Sequence, residues 1–209
     1  MRSDVYQRMR DDIVSGALAA EAPLVEVALA TKYGTSRTPI REALRRLEQD
    51  GLVERADRSM RVRARSPEEI LEIYEVRISL EGIASRGAAE RHTALDLAKL
   101  RRTAERMAQA DRADTRGMAE ANRRFHEAVW AASHNVTLVD LLTRLNDHLI
   151  RYPTTTLSHP GRWEEALEEH AELLAAIERR DAAAATEIAE RHMTKARDVR
   201  LLMYSDEGP

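Results

Sequence analysis

The stretch from Gly34 to Leu52, GTSRTPIREALRRLEQDGL, constrains this chain more than any other. Ile40, Leu44 and Leu47 fall at i, i+4 and i+7, so a helix through them carries one apolar stripe. Arg37, Arg41 and Arg45 recur every fourth residue and form a basic stripe elsewhere on the same cylinder. Proline is tolerated in the first turn of a helix and not beyond it. Pro39 therefore puts the start near Ser36 or Thr38, either of which can cap it. Gly51 ends it. Such a helix docks one face on a small core and offers guanidinium groups outward, and guanidinium forks match phosphate oxygens and guanine edges. An ordinary solvated helix has the same charge pattern, which by itself leaves both readings open.

The flanking residues complete a small domain. Val5, Met9 and Ile13 repeat at helical spacing, predicting a helix over 4–15 that Gly16 ends. Ala22-Pro23 reads as a turn, and 25–33 as a second helix with Val25, Ala28 and Leu29 turned inward. Gly34 opens the turn into the third helix. Beyond Gly51, residues 52–55 and 60–64 read as two short strands around Asp57-Arg58-Ser59. Three helices and a β-hairpin make a winged helix-turn-helix. In that arrangement the third helix lies in the major groove while backbone amides and the wing hold phosphates.

The residues Ser36 to Val53 resemble the recognition helix of the GntR superfamily of bacterial transcription regulators, whose signature is S-R-T-P-[IV]-R-E-A-L-x-x-L-x-x-x-G-L-[VI]. The resemblance implies base and phosphate contacts for Arg37, Thr38 and Arg41, and a phosphate contact for the Ser36 hydroxyl. It implies weaker, backbone-directed roles for Arg45 and Arg46. The wing departs from the pattern, because the family usually has glycine at its tip and this chain has Asp57-Arg58-Ser59. Arg58 then either enters the minor groove or touches phosphate.

Ser66-Pro67-Glu68-Glu69 marks a second boundary, since a capping serine, proline at the first helical position and glutamate at the third start a new helix. From there the periodicity is helical throughout, with helices near 67–90, 94–110, 115–133, 136–151, 162–179 and 182–204. Thr93, Asp114 or Thr115, and Asp181 stand where caps are needed, and Pro153 with 154–161 interrupts the series. The expected architecture is mainly α: a winged helix-turn-helix over 1–65, and a six-helix antiparallel bundle over 66–209. A composition 43% hydrophobic, 33% charged and only 4% aromatic suits a helix-rich globular protein. With no cysteine there are no disulfides or thiolate metal sites, which fits a cytoplasmic location, and no apolar run approaches the roughly 18 residues of a membrane span. Residues 1–65 carry 13 Lys+Arg against 10 Asp+Glu, and the remainder 20 against 26. A basic small domain joined to an acidic larger one suits a nucleic-acid binder with a separate sensor.

Polar residues inside the apolar stripes of the bundle carry the chemistry. Arg77 sits in the stripe Ile70, Ile73/Tyr74, Leu80, Ala84 and needs a partner, either Glu81 one turn on or a ligand anion. Asn122 and His126 are four apart and share a face. His170 lies ten residues before Arg180 and His192 twelve after it, so across a short Arg179-Arg180-Asp181 turn they stand at similar height. Three imidazoles and an amide can converge in one core, and a lone core histidine is usually structural.

The pattern Asn122-Arg123-Arg124-Phe125-His126, then His170, Arg180-Asp181 and His192, resembles the FadR-type sensor domain, FCD, of the same superfamily. Glu75, Arg77, Leu80, Glu81 and Ala84 also match its first helix. Six sensor helices rather than seven place the chain nearer the shorter, VanR-like branch. The resemblance implies a divalent metal, zinc or nickel, bound by Asn122, His126, His170 and His192, with a small carboxylate effector completing the coordination. Asn122 stands where the family has aspartate, so metal affinity is expected to drop. The alternative is an organic acid held by the imidazoles and Arg77, with Asn146 and Arg151 as weaker cavity candidates. His148 lies on an apolar stripe and matches no family ligand. The expected function is a ligand-responsive, DNA-binding regulator, by family precedent a repressor, working as a homodimer on a palindromic operator. Two rivals stand beside it. A metal-dependent hydrolase would need a general base, and Glu127 and Glu169 both fall off the histidine stripes. A purely structural histidine cluster would leave DNA binding constitutive.

Overall fold

α1 (Val5–Val14) begins at Asp4, whose carboxylate accepts from the Tyr6 backbone N–H at 3.3 Å. The computed structural model to which it belongs describes residues 4–56, 59–150 and 155–206. These form two units, Met1–Ser66 with Asn146–Pro153, and Pro67–Leu145 with Thr154–Pro209.

In the first unit α1 is followed by β1 (Pro23–Leu24), α2 (Glu26–Tyr33), α3 (Arg37–Gln49), β2 (Val53–Ala56) and β3 (Ser59–Val62). Gly34, at φ 64°, takes the left-handed turn that ends α2 and frees the chain to start α3 at Ser36. Met9, Ile13, Leu29, Ile40, Leu44, Leu47, Leu52 and Val62 meet in one core. The apolar stripe of α3 is thus the face it buries, and its arginines are left outside.

Two expectations need correction here. Ala22-Pro23 is not merely a turn: Pro23 and Leu24 pair antiparallel with Arg61 and Met60, giving a three-stranded sheet of order β1-β3-β2. This strand carries Leu24 into the core, so α2 starts only at Glu26 and Val25 stands at its N-cap, before the helical stripe begins. Val25 is 51% exposed and Ala28 is exposed, while Leu29 and Tyr33 face inward. The tip of the wing, residues 57–58 with Arg58, lies outside the described residues.

In the second unit the helices are α4 (Pro67–Arg91), α5 (Ala94–Ala108), α6 (Thr115–Ala132), α7 (Val136–Ile150) as far as Leu145, α8 (Arg162–Glu178) and α9 (Ala182–Asp206), with a short 3-10 turn at Thr156–Ser158; the end of α7, from Asn146, belongs to the first unit. Their ends fall within two residues of those read from periodicity. The caps explain the agreement. Thr93 and Asp96 form a reciprocal capping box, Asp114 accepts from the Gly117 N–H at 2.9 Å, and Asp181 accepts from the Ala184 N–H at 3.0 Å. α9 packs along α4 and α8, and α5 along α6. Small residues line these seams, including Ala88, Ala89, Ala166, Ala176, Ala185 and Ala189, so the backbones approach closely around Phe125, Leu100 and Met107. Among the described residues no helix is long and apolar enough to cross a membrane.

Candidate nucleic-acid face and metal centre

Ser36 occupies the N-cap position of α3 with extended backbone, and its side chain makes no capping bond. Its hydroxyl and the amides of the first helical turn therefore remain available to an outside acceptor, the arrangement that favours a phosphate. Arg37, Thr38, Arg41 and Arg45 are exposed beside it. Two of them converge on one carboxylate that the sequence did not single out. Arg41 Nε donates to both oxygens of Glu26 at 2.8 and 2.9 Å, and Arg37 donates to Glu26 Oε2 from Nε at 3.3 Å and Nη2 at 3.1 Å. The hydrogen bond from Arg41, with that from Arg37, holds the Glu26 carboxyl below its ordinary value. Glu26 lies on α2, 11 and 15 residues upstream of the two arginines, and no periodicity links it to them. Arg46 turns another way, donating to Asp4 at 2.9 Å and lying 3.9 Å over the Tyr6 ring.

The second unit brings together three of the residues expected at a metal. Ligand atoms of His126 (α6), His170 (α8) and His192 (α9) all lie within 4.8 Å of one another, and all three residues are buried. His170 Nε2 and His192 Nε2 are 3.3 Å apart. Two nitrogens each about 2.0–2.1 Å from a tetrahedral zinc would stand about 3.4 Å apart, so the spacing fits. Asn122 precedes His126 by one turn on the same face of α6, and its Oδ1 is buried with no hydrogen-bond partner among the described residues. Three imidazoles plus an orphaned amide oxygen fit a divalent ion of the zinc or nickel kind.

Each ring is fixed from behind. His192 Nδ1 is 2.6 Å from Glu169 Oε2, His126 Nδ1 is 3.5 Å from Glu81 Oε2, and His170 Nδ1 is 3.1 Å from Met107 Sδ. His170 also stacks on Phe125 with centroids 4.3 Å apart. A carboxylate at Nδ1 draws the imidazole proton to that side and turns the Nε2 lone pair inward, which is how ligating histidines are normally oriented. The carboxylates are held in turn. Arg77 Nη2 donates to Glu81 Oε1 at 2.6 Å and Trp130 Nε1 donates to Glu81 Oε2 at 2.7 Å. Arg162 Nη2 donates to Glu169 Oε2 at 2.8 Å, and Lys195 Nζ lies 2.9 Å from Glu169 Oε1.

The electrostatics suit neutral ligands. Burial, then the fields of His192, His126 and Arg162, pushes His170 well below the ordinary value of 6.5. Burial likewise lowers His192 to about 4, although its hydrogen bond to Glu169 pulls the other way. Burial opposes ionisation of Glu81 and Glu169, but the histidines and cations around each outweigh it, and both carboxyls sit well below the usual range. Both imidazoles are therefore unprotonated and both glutamates ionised near neutrality.

The remaining residues fall elsewhere. Arg77 takes Glu81 as its partner, the simpler of its two expected roles. Glu169, read from its helical phase as turned away from the histidines, is 5% exposed and bonded to His192. It faces the rear of the ring, and the seven-residue spacing to Arg162, two helical turns, is the one signal that tied it to a buried partner. Asn146 belongs to the first unit, and Arg151 lies outside the described residues. His148 is buried with Nε2 3.4 Å from Arg65 Nη2.

Residues 1–60 match the family described as bacterial regulatory proteins, gntR family, and residues 72–195 match the FCD domain. The uncharacterized HTH-type transcriptional regulator YdhC of Bacillus subtilis (strain 168) is 31% identical over 185 residues, covering 86% of this chain and 82% of that protein. The galactonate operon transcriptional repressor of Escherichia coli (strain K12) is 30% identical over 199 residues, covering 85% of this chain and 86% of its own. Among solved structures, E. coli McbR/YncC aligns over 96% of both chains with a TM-score of 0.80 at 26% identity. By both of its halves, this chain belongs to the gntR family of bacterial regulatory proteins, as a DNA-binding transcription regulator carrying an FCD domain.

Proposed function

We propose that this regulator is a repressor whose helical domain binds a small carboxylate at a divalent metal held by His126, His170, His192 and Asn122, and that the ligand releases a homodimer from a palindromic operator in the cytoplasm. The observation that carries the reading is the approach of three buried imidazole donors to within 4.8 Å. The name of the galactonate operon repressor points the same way, because galactonate is a hydroxy carboxylate. When bound, a divalent ion supplies a Lewis-acidic point with an open position for a carboxylate oxygen. The chain's own residues do the rest. Glu81 on α4 and Glu169 on α8 orient imidazoles on α6 and α9, so a ligand that shifts one ring biases the packing of several helices. Arg77 and Arg162 act by keeping those carboxylates in place. In the first unit Arg37, Thr38, Arg41 and Ser36 face DNA, with Arg45 and Arg46 nearer the backbone. A dimer is favoured by Val76 and Ile83, both 52% exposed and seven residues apart on one stripe of α4, a face suited to a second copy.

Selection of tight binders from a random duplex library, followed by anisotropy titration of the selected site, tests this. The expected outcome is a two-fold symmetric site released by zinc together with one of a panel of small carboxylates. His192→Ala should keep operator affinity and lose the response. An operator affinity indifferent to every metal and acid would instead mark the histidines as structural.

A further inference from the structure

The donor set of the histidine centre would bring no charge to a bound ion. His126, His170 and His192 ligate only as unprotonated imidazoles, which are uncharged, and Asn122 offers an amide oxygen. The nearest carboxylates do not make up the deficit. Glu81 is matched by Arg77 at 2.6 Å, and Glu169 is matched by Arg162 at 2.8 Å with Lys195 beside it at 2.9 Å. A dication in this centre would leave two positive charges uncompensated in a buried site, which is strongly unfavourable. An anion with no ion to meet it would find Arg77 and Arg162 already committed to Glu81 and Glu169, and the half-exposed Lys195 already set against Glu169 and Glu165. Each ligand supplies what the other lacks.

We propose that metal and carboxylate bind this centre as a mutually dependent pair, each raising the affinity of the other, and that the neutral amide of Asn122 is the cause. This rests on the metal reading above and goes beyond it. It makes the regulator respond to the joint presence of two ligands, whereas an anionic residue at position 122 would let the metal sit permanently and leave the acid as the sole signal. By linkage, the factor by which acetate strengthens zinc binding equals the factor by which zinc strengthens acetate binding.

Zinc affinity of the full chain is measured by competition with a fluorescent chelator, with and without acetate, at an ionic strength fixed by perchlorate. In the unmodified protein acetate should tighten zinc binding by about tenfold or more. In Asn122→Asp, zinc should bind more tightly without acetate, and the acetate effect should shrink to about twofold or less. Asn122→Ala, which stays neutral, should keep the coupling. Zinc binding indifferent to acetate in the unmodified protein overturns the proposal, as does coupling of equal size in Asn122→Asp. Zinc binding by Asn122→Asp alone, with the unmodified protein refusing zinc even in acetate, also overturns it. Absence of zinc binding in all three proteins, with and without acetate, overturns the metal reading itself and this proposal with it.

Discussion

Arg37 and Arg41 of α3, and His126 and His192 of the helical unit, rest against carboxylates at opposite extremes of exposure. Glu26 gathers Arg37 and Arg41 in water, where the arginine side chains are 58% and 53% exposed. Glu81 and Glu169 hold His126 and His192 in the dark, with almost no access to solvent. An exposed ion pair contributes about 0–1 kcal/mol, so its arginines exchange a carboxylate for a phosphate at little cost. A buried charge pair is different: losing one partner strands the other in a medium that solvates it poorly. The same residue types therefore serve a surface that must re-partner and a centre that must not.

The comparison is broken most severely at Glu81. Glu81→Ala removes the buried carboxylate to which both Arg77 and Trp130 donate and should cost about 3–5 kcal/mol of unfolding free energy in urea titration. A loss below about 1 kcal/mol would show that the pair is as dispensable as a surface one.

Acid probes the same region next. His170 and His192 have folded values below the ordinary 6.5, His192 at about 4. The unfolded chain then takes up protons first, so metal-free protein should hold its stability above pH 6.5 and lose roughly 3 kcal/mol through His192 as pH falls from 6.5 toward 4, with His170 acting in the same direction. Glu81 and Glu169, whose folded values lie below the ordinary 4.5, add to the loss as pH falls through about 4.5 and below. Urea unfolding across pH checks this, and His192→Gln should remove part of the slope. A flat profile between pH 6.5 and 4 would contradict the buried, neutral imidazoles.

On the exposed side the effects move from stability to binding. Arg41→Ala should weaken the selected operator by about 1–3 kcal/mol while leaving unfolding unchanged. Equal affinity for the variant would remove Arg41 from base reading. The smallest effect is expected at Glu26. Glu26→Gln should leave the urea unfolding midpoint unchanged and tighten binding to random duplex, since a carboxylate competing with phosphate is lost. If that change weakened DNA binding instead, Glu26 would be holding the arginines in position for DNA.

Periodicity makes most of the fold legible in the sequence. Helix ends in the bundle are set by local caps such as Thr93, Asp114 and Asp181, and local signals are what a sequence displays. β1 was not legible because two residues containing a proline look like a turn, and only pairing with β3 makes them a strand. The exposure of Val25 is hidden for the same reason, since pairing of Leu24 leaves it at the N-cap of α2. The three histidines stood out because each interrupts an apolar stripe and the turn at 179–181 levels two of them. Glu26, Glu169 and Arg162 stayed hidden. A charged residue in a helix reads as solvated, and its burial or pairing is decided by helices far away in the chain.

The most direct test of the account is elemental analysis of the full chain after equilibrium dialysis against zinc in acetate buffer, compared with the double variant His170→Ala/His192→Ala. The account predicts about one zinc per chain in the unmodified protein and none above background in the variant. An unmodified protein that emerges without metal, or a variant that retains it, would contradict the claim that these imidazoles form a metal centre.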